Sequence, residues 1–453
     1  MAGRRADLSR VRCAPGDHFH RAPEPFLPGR ADLAVVTLDP VHFKAISRLA
    51  KGVSRTVDER EHREFAETVW AEWLDPLVDG GDRVIEPLDE QGRYRVDATE
   101  IALEADRFET RHGLDSGTIN PTTFKNGLVV DVAQAAMSRV PSDLELHRGR
   151  TNVVAVHSSD VTVGFDGDWQ MDDGGYVRQR LLHVPTTDRS MTAVVHELAL
   201  YLAEVTHATD NAGVVDDLLI MDGPIYPKGL LTWERRDPEL AELLAESETP
   251  QGVIQSYVEL VESFVERDVP LVGFVKNPAS RLVTRTVREK QGNSPWLNDA
   301  AFFSQLLERG GFDEGTWVRE TDELTYTNWF VSRGATDGAL ASPDTLSGID
   351  RQLDHDEYEV TFSMVYDPRT DTIYRIEAPR YFTDDPDTRK ALTRQLLKGI
   401  AAERGPPEAV GKADSLARIG SRETAALREA LEAAFDSEID TDYDDDRWGA
   451  FVD

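Results

Sequence analysis

The chain has 453 residues, with 83 Asp and Glu against 50 Lys and Arg, for a formal net charge of −33. Only 9 of the 50 basic residues are Lys, and acid spread along a Lys-poor chain is the composition expected of a halophilic cytosol. A single cysteine, Cys13, excludes an intrachain disulfide and a cysteine-based metal cluster, and no apolar run is long enough to cross a membrane, so a cytoplasmic protein is expected.

In ordinary salt such a charge opposes nucleic acid binding. In molar salt the Debye length shrinks to about 3 Å, and a local basic site can still hold phosphate. Arg4-Arg5 has no apolar segment after it, so it is not read as an export signal.

Residues 1–32, rich in Pro, Gly and Arg, are expected to be a disordered extension, and 33–107 to form an N-terminal helical region. Within it, 40–77 reads as two helices, the first opened by Asp39-Pro40. An extended segment leads into Asp115, followed by a turn-rich insertion, and the apolar stretch from Leu128 is read as turning helical through Met137. Residues 151–159 and 179–185 are strand-like. The 189–209 stretch has apolar residues at helical spacing, "DLLIMDG" is a buried strand, 253–268 a helix and 269–281 a strand segment. "YEVTFSMVYDP" and "TIYRIEAP" form a hairpin turning at Asp367-Pro368-Arg369. Helices over 386–405 and 421–438 precede an acidic tail. Alternating strands and helices indicate an α/β fold.

Two near-motifs carry no chemistry. "HELAL" has Leu200 where a zincin needs its second His, and "GPPEAVGKAD" has the wrong glycine spacing and Ala413 after Lys412 for a P-loop.

Carboxylates are the informative residues. Asp222 ends a buried strand at a Gly-Pro turn, the position where functional groups collect in α/β sheets. A lone Asp there is otherwise a turn residue. The preceding helix runs back antiparallel to that strand, so Glu197 in its early turns is expected beside Asp222, with Glu204 as second choice. Asp115 ends an earlier segment before Ser116 and Gly117. Two like charges at about 4 Å repel by roughly 4 kcal/mol at an effective dielectric of 20. Convergence would therefore call for a proton or a cation, and all-oxygen ligands suit Mn²⁺ or Mg²⁺, the usual agents of phosphodiester cleavage.

The series "HGLDSGTINPTTFKNGL", "VVHELALYLAE", "LLIMDGPIYP", "VPLVGFVKNPASR", "IYRIEAP" and "PPEAVGKADSLARI", over roughly 110–420, resembles the NurA family of archaeal DNA-repair nucleases in a haloarchaeal form. The resemblance implies an RNase H-like mixed central sheet flanked by helices, with the nuclease domain over 108–420 and a C-terminal helix and tail over 421–453. It implies a Mn²⁺-dependent deoxyribonuclease acting 5′–3′ on single- and double-stranded DNA ends. Such an enzyme forms a homodimer and works in end resection with a HerA-type hexameric helicase. A catalytically impaired subunit that docks on the translocase and guides DNA is the alternative.

By the same resemblance the metal ligands fall on Asp115, Glu197, Asp222 and Asp414, and Lys276 falls at the phosphate-contacting strand end. Asp414 stands where the family usually has His, and "DSG" stands where it usually has Asp-Gly-Ser. Arg281 and Arg285 could grip the DNA backbone. Tyr226 and Trp329 could stack on a base or pack in the core. Glu377 could be a site carboxylate or a paired buried charge.

Overall fold

The computed structural model describes residues 40–50 and 59–440, apart from 159, 161–166, 188–189, 314–315, 335, 343–344 and 347. The expected extension over 1–32 and the tail from 441 lie outside the described residues. Two compact units result, divided after Asp58. The first contains the Pro40–Ala50 helix, whose Phe43, Ile46 and Leu49 are exposed. Everything below concerns the second. Among the described residues no helix is long and apolar enough to cross a membrane.

The second helix expected before residue 77 spans Glu59–Trp73, and strands at Leu77–Asp79, Asp82–Pro87 and Arg93–Asp97 follow it. The centre of the fold is a large mixed sheet flanked by helices. Five strands set its core: Arg111–Thr118, Leu128–Val140, Arg150–Ser158, Leu219–Asp222 and Leu271–Val275. In space they run third, second, first, fourth, fifth. The second is antiparallel to both neighbours, and the first, fourth and fifth are mutually parallel. This is the RNase H-like order. The expected hairpin, Val360–Asp367 with Thr372–Pro379, extends the sheet by antiparallel pairing to Leu271–Val275.

The expectation of helix through Met137 is corrected: Leu128–Val140 is a single strand of 13 residues. Its "AQAAM" stretch has helical propensity, but tertiary packing overrides it. Ala133, Ala135, Ala136 and Met137 are fully buried, because the strand is covered on both faces. Small side chains let a helix lie close on each side.

The two covering helices are Met191–Asn211 and Glu408–Ala417. Alternation along Arg111–Thr118 assigns them to opposite faces. Ser116 reaches the first helix by donating to Glu204. Gly113 and Gly117 face the second. A Cβ on Gly113 would stand 2.1 Å from the Ala409 carbonyl oxygen, and one on Gly117 2.8 Å from that of Ala417. Ser138 Oγ donates to the Ala409 carbonyl at 2.6 Å, and Gln134 Nε2 to that of Ala417 at 3.3 Å. The Glu408–Ala417 helix is thus held against bare backbone at both ends, with Asp414 between. Gly113→Ala should cost roughly 1–3 kcal/mol through overpacking, read as a lower urea midpoint with unchanged slope. A midpoint equal to wild type would show that the helix has room to shift.

Two buried histidines predict acid lability. His112 has both ring nitrogens unpartnered, and His207 binds Thr151 Oγ1 through Nδ1 at 3.0 Å. Burial, with the Arg139 charge near His112 and the Arg150 charge near His207, pushes both down to about 4. An unfolded His takes a proton near 6.5, so the unfolded state binds protons first as pH falls. Stability is therefore lost between about pH 6.5 and 4, by at most roughly 3 kcal/mol per residue. Denaturant titrations at pH 7.5 and 5 check this: wild type should lose stability at pH 5, and His112→Leu should lose less.

Candidate metal centre

Asp222 closes a four-residue strand, and Gly223 follows at φ +128°, a conformation that L side chains rarely adopt. Its N–H donates to the Phe274 carbonyl at 3.0 Å, tying the turn to the neighbouring strand. The Asp222 carboxylate is thereby carried on a rigid strand end rather than a loose loop.

Asp115 lies on the adjacent parallel strand, on the face that carries the Glu408–Ala417 helix. Asp115, Asp222 and Asp414 each offer a carboxylate oxygen, and these lie within 4.8 Å of one another. Lys276, just past the Leu271–Val275 strand, places Nζ 2.5 Å from Asp222 Oδ2 and 3.9 Å from Asp414 Oδ1. A strand, a second strand, a helix and a third strand end thus meet in one cleft of about 340 Å³, which Arg418 also lines.

The electrostatics are those of crowded acid. Burial, with Asp222 beside it, pushes Asp115 up to about 8, although its Oδ1 accepts from the Ser116 N–H. Burial raises Asp222 too, against the pull of the Lys276 bond. Burial works against the Lys276 charge, but the Asp222 hydrogen bond and the surrounding carboxylates raise its value on balance. Asp414 is exposed. The donor set is all oxygen and already holds one cation, the Lys276 ammonium. Both features fit a hard divalent ion such as Mn²⁺ or Mg²⁺.

The two helix carboxylates are placed differently. Glu197 is turned to Trp233 Nε1 at 2.5 Å and Arg236 at 3.4 Å, outside the carboxylate cluster. Glu204 also lies outside that cluster; it is buried, accepting from Tyr257 at 2.7 Å and from Ser116 Oγ at 2.9 Å, and Ser116 links it to Asp115. Ser116 adjoins Asp115, and the charges of both Asp115 and Asp222 are felt in this neighbourhood. Burial pushes Glu204 up to about 7 despite the two donors.

Element length explains the difference. Leu219–Asp222 climbs about 10 Å from first Cα to last. Seven residues of helix, from Glu204 to Asn211, also span about 10 Å. Glu204 is therefore level with the strand's carboxyl end, and Glu197 is about 10 Å beyond it. The two Glu are seven residues apart, nearly two full turns, so helical periodicity puts both on one face and cannot separate them.

The remaining expected contacts divide. Arg281 and Arg285 are exposed, and Arg285 pairs with Asp79 at 2.5 Å. Tyr226 is buried and donates to the Tyr358 carbonyl at 3.1 Å, so the expectation that it contacts DNA is corrected: it presents no face to a base. Trp329 is likewise buried, its Nε1 donating to Thr393. Glu377 is a paired buried charge, held by Lys228 and Arg375. Tyr257, Ser116, Arg418 and Lys228 were not foreseen, since single residues of these types carry no pattern.

The sequence model of the NurA domain matches residues 109–419. No curated protein matches the chain. Among solved structures, that of the NurA nuclease from Sulfolobus solfataricus is 10% identical with a TM-score of 0.44, covering 88% of this chain and 98% of that one. A NurA bound to dAMP and manganese is 11% identical with a TM-score of 0.40, covering 86% and 97%. A NurA with manganese is 11% identical with a TM-score of 0.38, covering 73% and 90%.

Proposed function

This chain belongs to the NurA family, and from that premise we propose that it is a Mn²⁺-dependent deoxyribonuclease that hydrolyses phosphodiesters at DNA ends. The observation that carries the reading is the convergence of Asp115, Asp222 and Asp414, distant in sequence, on one point with Lys276 beside them. Three carboxylates at such separations repel by several kcal/mol in total at an effective dielectric near 20. Here that cost is eased by a proton on Asp115 and by the Lys276 ammonium, and a divalent ion would offset it more fully.

Asp115, Asp222 and Asp414 would hold Mn²⁺, or Mg²⁺ in its place, with Glu204 as the fourth carboxylate in place of Glu197. A bound divalent ion supplies charge stabilisation at the phosphoryl oxygens and eases deprotonation of water. Lys276 moves from its Asp222 partner to a phosphate oxygen of the substrate, acting as a point charge. Ser116 and Tyr257 hold Glu204 in one rotamer by donating to its two oxygens. Asp115 keeps its proton near neutral pH until a cation compensates its charge. Arg418, on the cleft wall, neutralises a neighbouring phosphate.

The likeness to NurA further supports 5′–3′ exonuclease and end-processing action in double-strand-break resection, as a homodimer beside a HerA-type helicase. The test is incubation of purified protein in high KCl with linear single- and double-stranded DNA, with and without Mn²⁺. Mn²⁺-dependent shortening is expected. Its absence for wild type, with helicase added as well, would overturn the enzyme reading and favour a subunit that guides DNA.

A further inference from the structure

A second cavity, of about 480 Å³, lies across the sheet rim from the carboxylate cleft. That is within the roughly 300–1,000 Å³ of small-ligand sites. It is one short step from the cleft on two strands. Asp222 leads through Gly223 to Pro224, and Lys276 lies between Val275 and Asn277; Pro224, Val275 and Asn277 all line the cavity. Side chains alternate along a strand. Val275 and its register partner Arg375 therefore face away from the side that carries Lys276, and the cavity lies on the face opposite Asp222.

Its walls and floor differ in chemistry. Pro224, Val275, Pro278 and Leu282 make apolar walls. The floor is an ion-pair tetrad: Lys228 meets Asp337 at 2.7 Å and also Glu377, and Arg375 meets Asp337 at 2.6 Å and Glu377 at 2.7 Å. Two positive and two negative groups leave the floor without net charge. The charge at the mouth is then Arg281, exposed and without an ion-pair partner among the described residues. Two atoms of the tetrad make no hydrogen bond, Arg375 Nε and Glu377 Oε2, and both are buried below the cavity surface.

We propose that this cavity takes the sugar and base of one unpaired nucleotide, next along the strand from the phosphate at the carboxylate cleft. The base lies against the apolar walls, and the phosphate rests on Arg281. An extended backbone carries Pro224 at most about 7 Å from Asp222, within reach of a neighbouring nucleotide. A base paired in a duplex cannot enter, so a double-stranded end must fray before it is held. The proposal rests on the nuclease reading, which supplies the strand.

The test is fluorescence anisotropy of a short labelled single strand of mixed sequence, in high KCl with EDTA, so that binding is read without cleavage. Ala279→Trp, at an exposed position lining the cavity, fills it, and Arg281→Glu reverses its charge. Each should weaken binding by about tenfold or more, the range of one lost base contact, with an unchanged melting temperature. Affinity within about twofold of wild type for Ala279→Trp overturns the proposal, even if Arg281→Glu weakens binding, because Arg281 would then be only a surface phosphate contact. Failure of wild type to bind any strand overturns it too. Hydrolysis of bis(p-nitrophenyl) phosphate with Mn²⁺ separates the two readings. That small diester needs the cleft alone, so its failure would sink the nuclease and leave a cavity-dependent binding result standing.

Discussion

Asp222→Asn removes Mn²⁺-dependent cleavage of linear DNA, by on the order of a thousandfold, or about 4 kcal/mol of barrier. The replacement has the same shape and still accepts from Lys276, but it lacks the charge that a divalent ion needs at the centre of the cluster. Burial raises the value of the Asp222 carboxyl, so its charge is a burden unless a cation compensates it. The variant should therefore fold as well as wild type. Gel assays for cleavage and calorimetry for Mn²⁺ uptake, with thermal denaturation as control, decide the matter. Retention of a tenth or more of the activity would remove Asp222 from the metal site.

Glu204→Gln should lower activity by about a hundredfold, and Glu197→Gln by less than about threefold. Both sit on one helix face, so the contrast is diagnostic. Glu204 touches Ser116, the neighbour of Asp115, whereas Glu197 is engaged by Trp233 and Arg236. Gln at 204 can still accept from Tyr257, so the buried hydrogen bond is not orphaned and the fold survives. Measuring both variants for Mn²⁺ affinity and cleavage in the same salt answers the question. The reverse order of effects would move the fourth ligand to Glu197 and refute the length argument.

On the proposed ligand set, the site draws on both sides of the sheet. Asp115 and Asp414 come from the face covered by Glu408–Ala417, and Glu204 from the face covered by Met191–Asn211. Ser116, one residue on from Asp115, is the link across the strand. Substitutions that thicken either interface should act on the site at a distance, which is why Gly113→Ala is expected to weaken metal binding as well as stability.

Much of the fold was legible along the chain, because its signals are local. Apolar runs ended by Asp-Gly-Pro or Lys-Asn-Pro marked the fourth and fifth strands, and helical spacing over 189–209 marked the helix observed at Met191–Asn211. The hairpin turn at Asp367 was equally plain. Where local preference and packing conflict, sequence reading failed: "AQAAM" favours a helix, and only burial between two helices makes it a strand.

For the site, local order pointed to Asp222 at the end of its strand; Asp115 reads as ending its segment but lies within Arg111–Thr118, and Lys276 comes from the family resemblance. Which helix carboxylate reaches them depended on the ratio of helix rise to strand rise over the actual element lengths. Whether Tyr226 meets solvent or core depended on the elements packed over it. A side chain's type and its place within one element are set by covalent neighbours. Its partners from elsewhere in the chain are set by how elements of unequal length come to lie side by side, and that is decided only when the chain has folded.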